Sequence, residues 1–258
     1  MIPLKDLIKP RRTPFINWLI IGTNVAMFLY QITLPPHAVY QMFHLWGVVP
    51  ARYFRPGWAA VAGYPKATFL PFITSMFLHG GWLHLISNMW ALWIFGDNVE
   101  DRLGHIGYLV FYIVCGIFAS GLNMIFHLNS QLPTIGASGA IAGVMGAYMM
   151  LYPGAQILVI FPIFFYPLFF PVPAVFYLLF WFITQFWSGT ISLVTGAGKL
   201  GGIAFWAHIG GLGLGMLLAV LMRVAEEGRR EFVLEDSTRA ASGGAPKEYS
   251  LNELKRLL

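Results

Sequence analysis

Residues 106–126 read IGYLVFYIVCGIFASGLNMIF and contain no charged side chain. They belong to a longer run, from Leu103 to Gly198, that has no Asp, Glu, Lys or Arg, and the first charge after Lys199 is Arg223. Charged residues make up 10% of the 258 positions and hydrophobic residues 57%, whereas about 25% of a soluble globular domain is charged. The composition therefore excludes an ordinary soluble enzyme and predicts a polytopic membrane protein.

The net charge of +5 does not indicate a nucleic-acid partner, because the basic residues lie at the chain ends and in one loop. The single cysteine, Cys115, lies in an apolar run. This placement is typical of a small buried hydrophobic residue, and one cysteine supports neither a disulfide framework nor a cysteine-based metal site.

Six segments have the length and composition of helices that cross a bilayer, which requires about 20 mostly apolar residues. They are 15–34, 82–97, 106–126, 138–152, 173–188 and 204–225. Residues 156–172 are also apolar, but four prolines between 162 and 173 remove backbone donors. We therefore interpret 156–172 as an apolar interfacial connection into the fifth span, and we predict an all-α membrane protein with six transmembrane helices.

The basic residues predict the orientation of these spans, because Lys and Arg concentrate on the cytoplasmic side. With both termini cytoplasmic, the inner side carries Lys5, Lys9, Arg11, Arg12, Arg102, Arg223, Arg229, Arg230 and Arg239, against Arg52, Arg55, Lys66 and Lys199 outside. A basic segment followed at once by a full-length span is typical of a retained first helix and not of a cleaved signal peptide. We expect a basic N-terminal segment, 1–14, a six-helix domain, 15–225, and a cytoplasmic tail, 226–258.

Two regions outside the spans have distinct compositions. The first outer loop, 36–78, is rich in Trp, Tyr, Phe and Pro, which suits an element at the membrane interface. The tail turns to Gly, Ser and charged residues and ends in a segment, 250–258, with the spacing of a capping box and an apolar stripe. A short amphipathic helix and simple disorder are equally compatible with this last segment.

Three polar clusters occur in the first two turns of spans two, four and six. They are His79-Gly-Gly-Trp-Leu-His84-Leu-Ile-Ser-Asn88, Gly136-Ala-Ser138-Gly-Ala, and Ala207-His208-Ile-Gly-Gly211. In the predicted topology these three spans all run from outside to inside, so the clusters lie at one depth near the outer leaflet. Because polar groups inside a membrane are costly, this coincidence predicts one shared site.

The residue types at this depth predict acyl-transfer chemistry. A serine hydroxyl needs a base to take its proton, so Ser138 is the candidate nucleophile and His208 the candidate base. His84 and Asn88, four residues apart on one helix face, and the backbone N–H of Ser138 are candidate donors to an oxyanion. The carboxylates nearest in sequence, from Asp97 onward, begin nine residues beyond Asn88, at least ~13 Å further along a helix. The sequence therefore favours a Ser–His dyad over a triad.

Small residues support close packing of the fourth and sixth spans. Gly136, Gly139, Gly143 and Gly146 recur along one, and Gly211 and Gly215 along the other. Such spacing lets membrane helices pack backbone to backbone, which Ser138 and His208 need in order to share a hydrogen bond.

Each feature alone has a simpler explanation. An intramembrane serine commonly bonds a carbonyl of its own helix, and His208 alone suits a hydrogen-bonded core histidine. The Gly-Ala-Ser-Gly string departs from the hydrolase Gly-x-Ser-x-Gly pattern because position 140 is Ala. His79 and His84 are badly spaced for a metal pair on one helix and have no carboxylate or cysteine beside them, so no metal is expected.

The ordered set of motifs resembles the rhomboid family of intramembrane serine proteases, and in particular its six-helix bacterial type. The matching residues are His84-x-x-x-Asn88, Glu100-x-Arg102, Gly136-x-Ser138-Gly139 and Ala207-His208-x-x-Gly211-x-x-x-Gly215, within about 10–225. The resemblance implies that Ser138 is the nucleophile, His208 the general base, and His84 and Asn88 the oxyanion donors, with Glu100 and Arg102 structural. It implies no cofactor.

The same resemblance implies a six-helix bundle whose loop 36–78 is embedded in the membrane, with the fifth helix and loop 189–203 controlling substrate entry. Substrates would be transmembrane helices cut near the outer face at small residues, and the location would be a bacterial cytoplasmic membrane. The sequence departs from the family pattern in having no clear Trp-Arg pair in loop 36–78.

Two other functions fit this sequence less well than proteolysis. A non-catalytic relative that binds or escorts membrane helices would typically lack the serine or the histidine, and this sequence has both. A transporter or channel normally requires charged groups within its spans, and the charge-free run provides none.

Overall fold

The computed structural model describes residues 2–163, 166–195 and 204–241, and the chain is mostly helical. Its strands are β1 (Ile2–Asp6), β2 (Gln156–Ile163) and β3 (Tyr166–Pro173). Its α-helices are α1 (Phe15–Gln31), α2 (Pro36–Trp46), α3 (Pro50–Phe54), α4 (Pro56–Val61), α5 (Leu70–Thr74), α6 (Trp82–Leu103), α7 (His105–Phe126), α8 (Ser138–Leu151), α9 (Ala174–Thr195) and α10 (Phe205–Ala241), with a 3-10 turn at Ser75–Phe77.

Each predicted span overlaps one of these helices, and α6, α9 and α10 extend beyond the C-terminal end of their spans. Within the described part of the chain, two helical segments are long and apolar enough to cross a membrane, His105–Phe126 and Phe205–Gly228. Phe15–Gln31, Ser138–Leu151 and Ala174–Thr184 are apolar but shorter. Helix α6 is 22 residues long and carries Asp, Glu and Arg in its last two turns, which makes it more polar than a simple span.

The expectation of an all-α protein is wrong at residues 156–173. This stretch forms the antiparallel hairpin β2–β3, and β1 adds to it in the order β1-β2-β3. Proline is tolerated because β3 is an edge strand, and Pro162 lies beyond the last β1–β2 pair, Ile2 with Ile160. The prolines that prevent a helix here are therefore compatible with a strand, and the hairpin leads directly into α9.

Helix α8 lies at the centre of the molecule, and every residue from Gly139 to Met149 is buried. Its closest neighbour is α10. A Cβ atom added at Gly211 would lie 1.9 Å from the carbonyl oxygen of Gly139, and one at Gly215 would lie 2.0 Å from that of Gly143. Glycine at these positions lets the two backbones touch.

The C-terminal end of α6 is tied to α1 by the buried carboxylate of Glu100. Its two oxygens accept hydrogen bonds from the backbone N–H groups of Ile16 at 3.0 Å and Asn17 at 2.7 Å, at the start of α1. His105 also contacts this carboxylate, and Arg102 pairs with Glu226 on α10. A carboxylate on the first N–H groups of a helix satisfies donors that have no partner within the helix, so Glu100 fixes the relative position of α1 and α6.

The loop between α1 and α6 is built from the short helices α2 to α5. Its buried arginine, Arg52, donates to the carbonyl oxygens of Leu45 and Lys66 at 3.2 and 3.1 Å and lies 5.8 Å from the centre of the Tyr64 ring. The sequence has no clear Trp-Arg pair in this loop, and in the structure its buried arginine contacts a tyrosine ring instead.

The strand β1 is held against the helices by the side chain of Asp6. Asp6 Oδ2 accepts hydrogen bonds from Asn98 Nδ2 at 2.6 Å and from the Tyr148 hydroxyl at 2.9 Å. Burial raises the pKa of Asp6 above its ordinary value of 3.8, and the hydrogen bond from Tyr148 offsets part of this rise. The N-terminal segment expected as a basic extension therefore begins as a docked strand.

The Asp6→Asn variant should change how stability depends on pH. Because its folded pKa is raised, Asp6 stabilises the fold when protonated, and this contribution is lost as the pH rises from 3.8 through the folded pKa. Asparagine does not ionise and loses nothing over this range. The melting temperature of the variant minus that of the unmodified protein should therefore increase as the pH rises through this window and then level off. Thermal unfolding in detergent at a series of pH values measures it.

The exposed neighbour Lys5 provides the control, since Lys5→Gln should leave the pH dependence of the melting temperature unchanged. If the melting temperatures of Asp6→Asn and the unmodified protein differ by the same amount at every pH, this result would contradict the raised pKa of Asp6.

Candidate active site

Ser138 is the first residue of α8, and the segment before it is held by a backbone hydrogen bond. The N–H of Gly136 donates to the carbonyl oxygen of Ser75 at 2.8 Å. Gly136 has a φ of +118°, a conformation that residues with a Cβ rarely adopt. The chain therefore turns sharply just before the helix and presents Ser138 at its N-terminal end.

The candidate nucleophile and base are in direct contact. Ser138 Oγ and His208 Nε2 lie 2.8 Å apart, a normal distance for a hydroxyl that donates to a ring nitrogen. His208 is in the first turn of α10 and is 7% exposed. The contact joins residues 70 positions apart in sequence, and it depends on the close approach of α8 and α10 at their glycines.

His84 lies against the turn that precedes Ser138. A Cβ atom at Gly136 would be 2.6 Å from His84 Nε2 and 3.8 Å from Asn88 Nδ2, so both side chains of α6 face this turn. The other ring nitrogen, His84 Nδ1, accepts the backbone N–H of Gly80 at 3.3 Å, which leaves Nε2 directed toward the turn.

Asn88 contacts a histidine to which the sequence assigned no role in the site. Asn88 Nδ2 lies 2.9 Å from His79 Nε2, and this ring is 5.0 Å, centre to centre, from the ring of His84. Gln31 on α1 holds the backbone of His79 from both sides, because it donates to the His79 carbonyl at 2.8 Å and accepts its N–H at 3.2 Å. His79 thus orients the asparagine.

These side chains open into a cleft of about 1220 Å³ between α6, α8, α9 and α10. Its wall is largely apolar, and Ser138, His84, Asn88 and His208 are among its lining residues. At the other end, the indole of Trp90 donates to the carbonyl oxygen of Pro3 at 2.7 Å, so strand β1 lines this end of the cleft.

Two carboxylates in the last turns of α6, those of Glu100 and Asp101, form hydrogen bonds outside this cleft. Glu100 bonds the start of α1, and Asp101 accepts the backbone N–H of Arg12 at 2.9 Å. Within the described ranges, no group of three His, Cys, Asp or Glu side chains is arranged to hold a metal ion. Cys115 is buried and reduced, at the position where α7 packs against Gly143.

Sequence reasoning missed the Gln31–His79–Asn88 chain. His79 appeared in the first polar cluster but was weighed only as a metal ligand. Gln31 lies inside the first span, and an uncharged polar residue at such a position is a signal for a buried hydrogen bond. The packing of Trp181 against His208, 5.5 Å between ring centres, could not be predicted because the two residues are on different helices.

Two predicted features fall partly beyond the described residues. The loop 189–203, expected to control substrate entry, includes 196–203, and the tail includes 242–258, both of which lie outside the described ranges.

The Gly136→Ala variant should damage the site. The added Cβ would clash with His84 Nε2 and would occupy a strained backbone conformation, which costs on the order of 1–3 kcal/mol. We expect a lower melting temperature and at least a tenfold slower labelling of Ser138 by a serine-reactive fluorophosphonate, because the turn that presents the serine must shift.

Gly121 on α7 is the matched control, since an added Cβ there meets nothing within 4 Å. Gly121→Ala should fold and be labelled as the unmodified protein is. If Gly136→Ala is labelled at the same rate as the unmodified protein, His84 does not pack as closely on the turn as described.

Comparison with known proteins agrees with the motifs. Residues 66–225 match the family model described as the Rhomboid domain. Rhomboid protein 1, mitochondrial, of Saccharomyces cerevisiae is 27% identical over 227 residues, covering 84% of this chain and 62% of that protein. RHOMBOID-like protein 6, mitochondrial, of Arabidopsis thaliana is 40% identical over 77 residues, which is 30% of this chain and 24% of that protein.

A third relative is Presenilin-associated rhomboid-like protein A, mitochondrial, of Danio rerio, which is 30% identical over 94 residues, or 36% of this chain and 24% of that protein. The chain thus spans less than two thirds of the length of these relatives. Their names place them in mitochondria, so they do not support the expected bacterial cytoplasmic membrane. Because the family model covers more than half of the chain, the protein belongs to the rhomboid family, whose members are embedded in membranes.

Proposed function

We propose that this protein is an intramembrane serine endopeptidase in which Ser138 and His208 form a catalytic dyad. The observation that carries the proposal is the 2.8 Å contact between Ser138 Oγ and His208 Nε2 at the end of an apolar cleft. Membership of the rhomboid family supports the class of reaction.

The first chemical step is the attack of Ser138 Oγ on the carbonyl carbon of a substrate peptide bond. As the bond forms, the hydroxyl proton moves to His208 Nε2, and the carbonyl oxygen becomes an oxyanion. Collapse of this intermediate breaks the C–N bond, and His208 returns the proton to the leaving amine. A water molecule then hydrolyses the acyl-enzyme with His208 again acting as base.

His84 and Asn88 are placed to stabilise the oxyanion. Both face the turn at Gly136 that precedes the nucleophile, and the N-terminal end of α8 adds the backbone N–H of Ser138 as a further donor. Donors fixed before the reaction are effective because no reorganisation is needed as charge develops. The His79–Asn88 contact and the Gly80–His84 contact hold these two side chains in place.

The shape and lining of the cleft support a proposed class of substrate. An apolar wall that reaches from Ser138 to Trp90 suits a hydrophobic segment of a membrane protein. We propose that this segment is a transmembrane helix, cut near the outer face at small residues where it unwinds easily. The partners of the protein are then membrane-spanning substrates and the lipid bilayer.

For the topology, we propose that α1, α6, α7, α8, α9 and the first part of α10 are the six transmembrane helices, with loop 36–78 embedded beside them. Both termini then lie on the side that carries most Lys and Arg. The proposed division remains a basic segment, 1–14, a protease domain, 15–225, and a tail, 226–258.

Replacement of either dyad residue should abolish proteolysis. In proteoliposomes containing a tagged single-span substrate, Ser138→Ala and His208→Ala should each lower kcat at least ~10³-fold, because one removes the nucleophile and the other its base. Gel analysis of the cleaved tag measures the rate. Thr23 on α1, an exposed residue whose hydroxyl donates to the Leu19 carbonyl of its own helix, offers the control, and Thr23→Ala should cleave normally. Undiminished cleavage by Ser138→Ala would refute the proposal.

Replacement of Asn88 should have a smaller and more specific effect. Loss of one oxyanion donor typically lowers kcat by ~10²–10³-fold, and KM should change little because the bond to the oxyanion forms only in the transition state. Asn24→Ala, at a buried asparagine of α1 that donates to its own helix, is the control. A raised KM with unchanged kcat in Asn88→Ala would assign Asn88 to substrate binding instead.

A further inference from the structure

The indole ring of Trp181 on α9 packs on the imidazole ring of His208 on α10. The ring centres are 5.5 Å apart, and the planes are inclined by 37°. Trp181 is half-buried and lines the cleft, and His208 is almost fully buried. The edge of the imidazole that carries Nε2 meets Ser138, and Trp181 covers the ring from another helix.

The position of Trp181 is set by the packing of the first half of α9. Ala174, Leu178 and Trp181 are spaced i, i+4 and i+7, so they share one face of the helix. Ala174 and Leu178 are completely buried, and the backbone N–H of Ala174 donates to the carbonyl oxygen of Ala155 at 2.8 Å at the base of the hairpin. The hairpin therefore anchors the helix face from which Trp181 reaches His208.

We propose that Trp181 is a positioning residue for His208, which it keeps aligned on Ser138 and stabilises when the ring becomes protonated. This inference rests on the proposed function. When His208 takes the proton of Ser138 it becomes an imidazolium, and the face of a tryptophan ring attracts a cation within about 6 Å of the ring centre. In a Ser-His-Asp triad the carboxylate orients the histidine and stabilises its charge.

The sequence explains why an aromatic ring suits this role. Positions 103–198, which include α7, α8 and α9, contain no carboxylate. Among the described residues that line the cleft, the titratable side chains besides His208 are His84 from α6, His127 just after α7 and Tyr177 from α9, and none of these is a carboxylate. The π face of Trp181 provides negative potential without the cost of burying a carboxylate in a membrane.

The test compares Trp181→Leu and Trp181→Phe in the full-length protein reconstituted in proteoliposomes. Two rates are measured, namely cleavage of a single-span substrate and labelling of Ser138 by a small fluorophosphonate, which needs the base but no substrate helix. Trp181→Leu should lower kcat and the labelling rate together by on the order of tenfold, with KM within about twofold. Trp181→Phe should restore both rates to within about threefold of the unmodified protein.

Trp187 on the same helix is the matched control, because this residue is 61% exposed and is not among the residues that line the cleft. Trp187→Leu should leave both rates unchanged. If Trp181→Leu does not fold, as judged by its melting temperature, Trp181→Met retains a long side chain in the cleft and replaces it in the comparison.

Three results would overturn the inference. The first is unchanged rates in Trp181→Leu. The second is slow cleavage but normal labelling in Trp181→Leu, which would place Trp181 against the substrate, and the third is a Trp181→Phe variant as slow as Trp181→Leu. Failure of the proposed function is distinguishable, because in that case the unmodified protein would show no Ser138-dependent cleavage or labelling, and both proposals would fall.

Discussion

The contact between the backbones of α8 and α10 is the constraint on which the candidate site depends. At Gly211 and Gly215 even a methyl group would overlap the carbonyl oxygens of Gly139 and Gly143. In a bilayer, lipid tails are as apolar as the helices, so association relies on such close van der Waals packing. This packing brings the start of α10 beside the start of α8, and the 2.8 Å contact between Ser138 and His208 is its consequence.

The two ends of α6 carry out different tasks. At the C-terminal end, Glu100 and its hydrogen bonds to the start of α1 fix the helix in the bundle, and Asn98 binds strand β1 through Asp6. At the N-terminal end, His84 and Asn88 face the turn before Ser138. Charged and strongly hydrogen-bonded groups thus hold one end of the helix in place, while histidine and amide side chains, which cost less to bury than a carboxylate, line the cleft at the other end.

The sequence predicts the helices and most of the site but not the sheet or the supporting contacts. Hydropathy locates segments such as 106–126 because the length of a span is set by the bilayer, and the polar clusters are conspicuous because charge is absent around them. The strands at 156–173 were missed because prolines in an apolar stretch exclude a helix without indicating a partner strand. Pairings such as Gln31 with His79 depend on tertiary contacts that no local pattern encodes.

The charge-free run bears on the mechanism as well as on the location of the protein. Since Leu103 to Gly198 contains no carboxylate, packing and neutral groups from these helices would orient the proposed base. Packing is sensitive to the position of whole helices, so the alignment of His208 is linked to α9 through Trp181 and, through Ala174, to the β2–β3 hairpin. A hairpin that looked like a mere connection in the sequence is therefore a support of the candidate catalytic histidine.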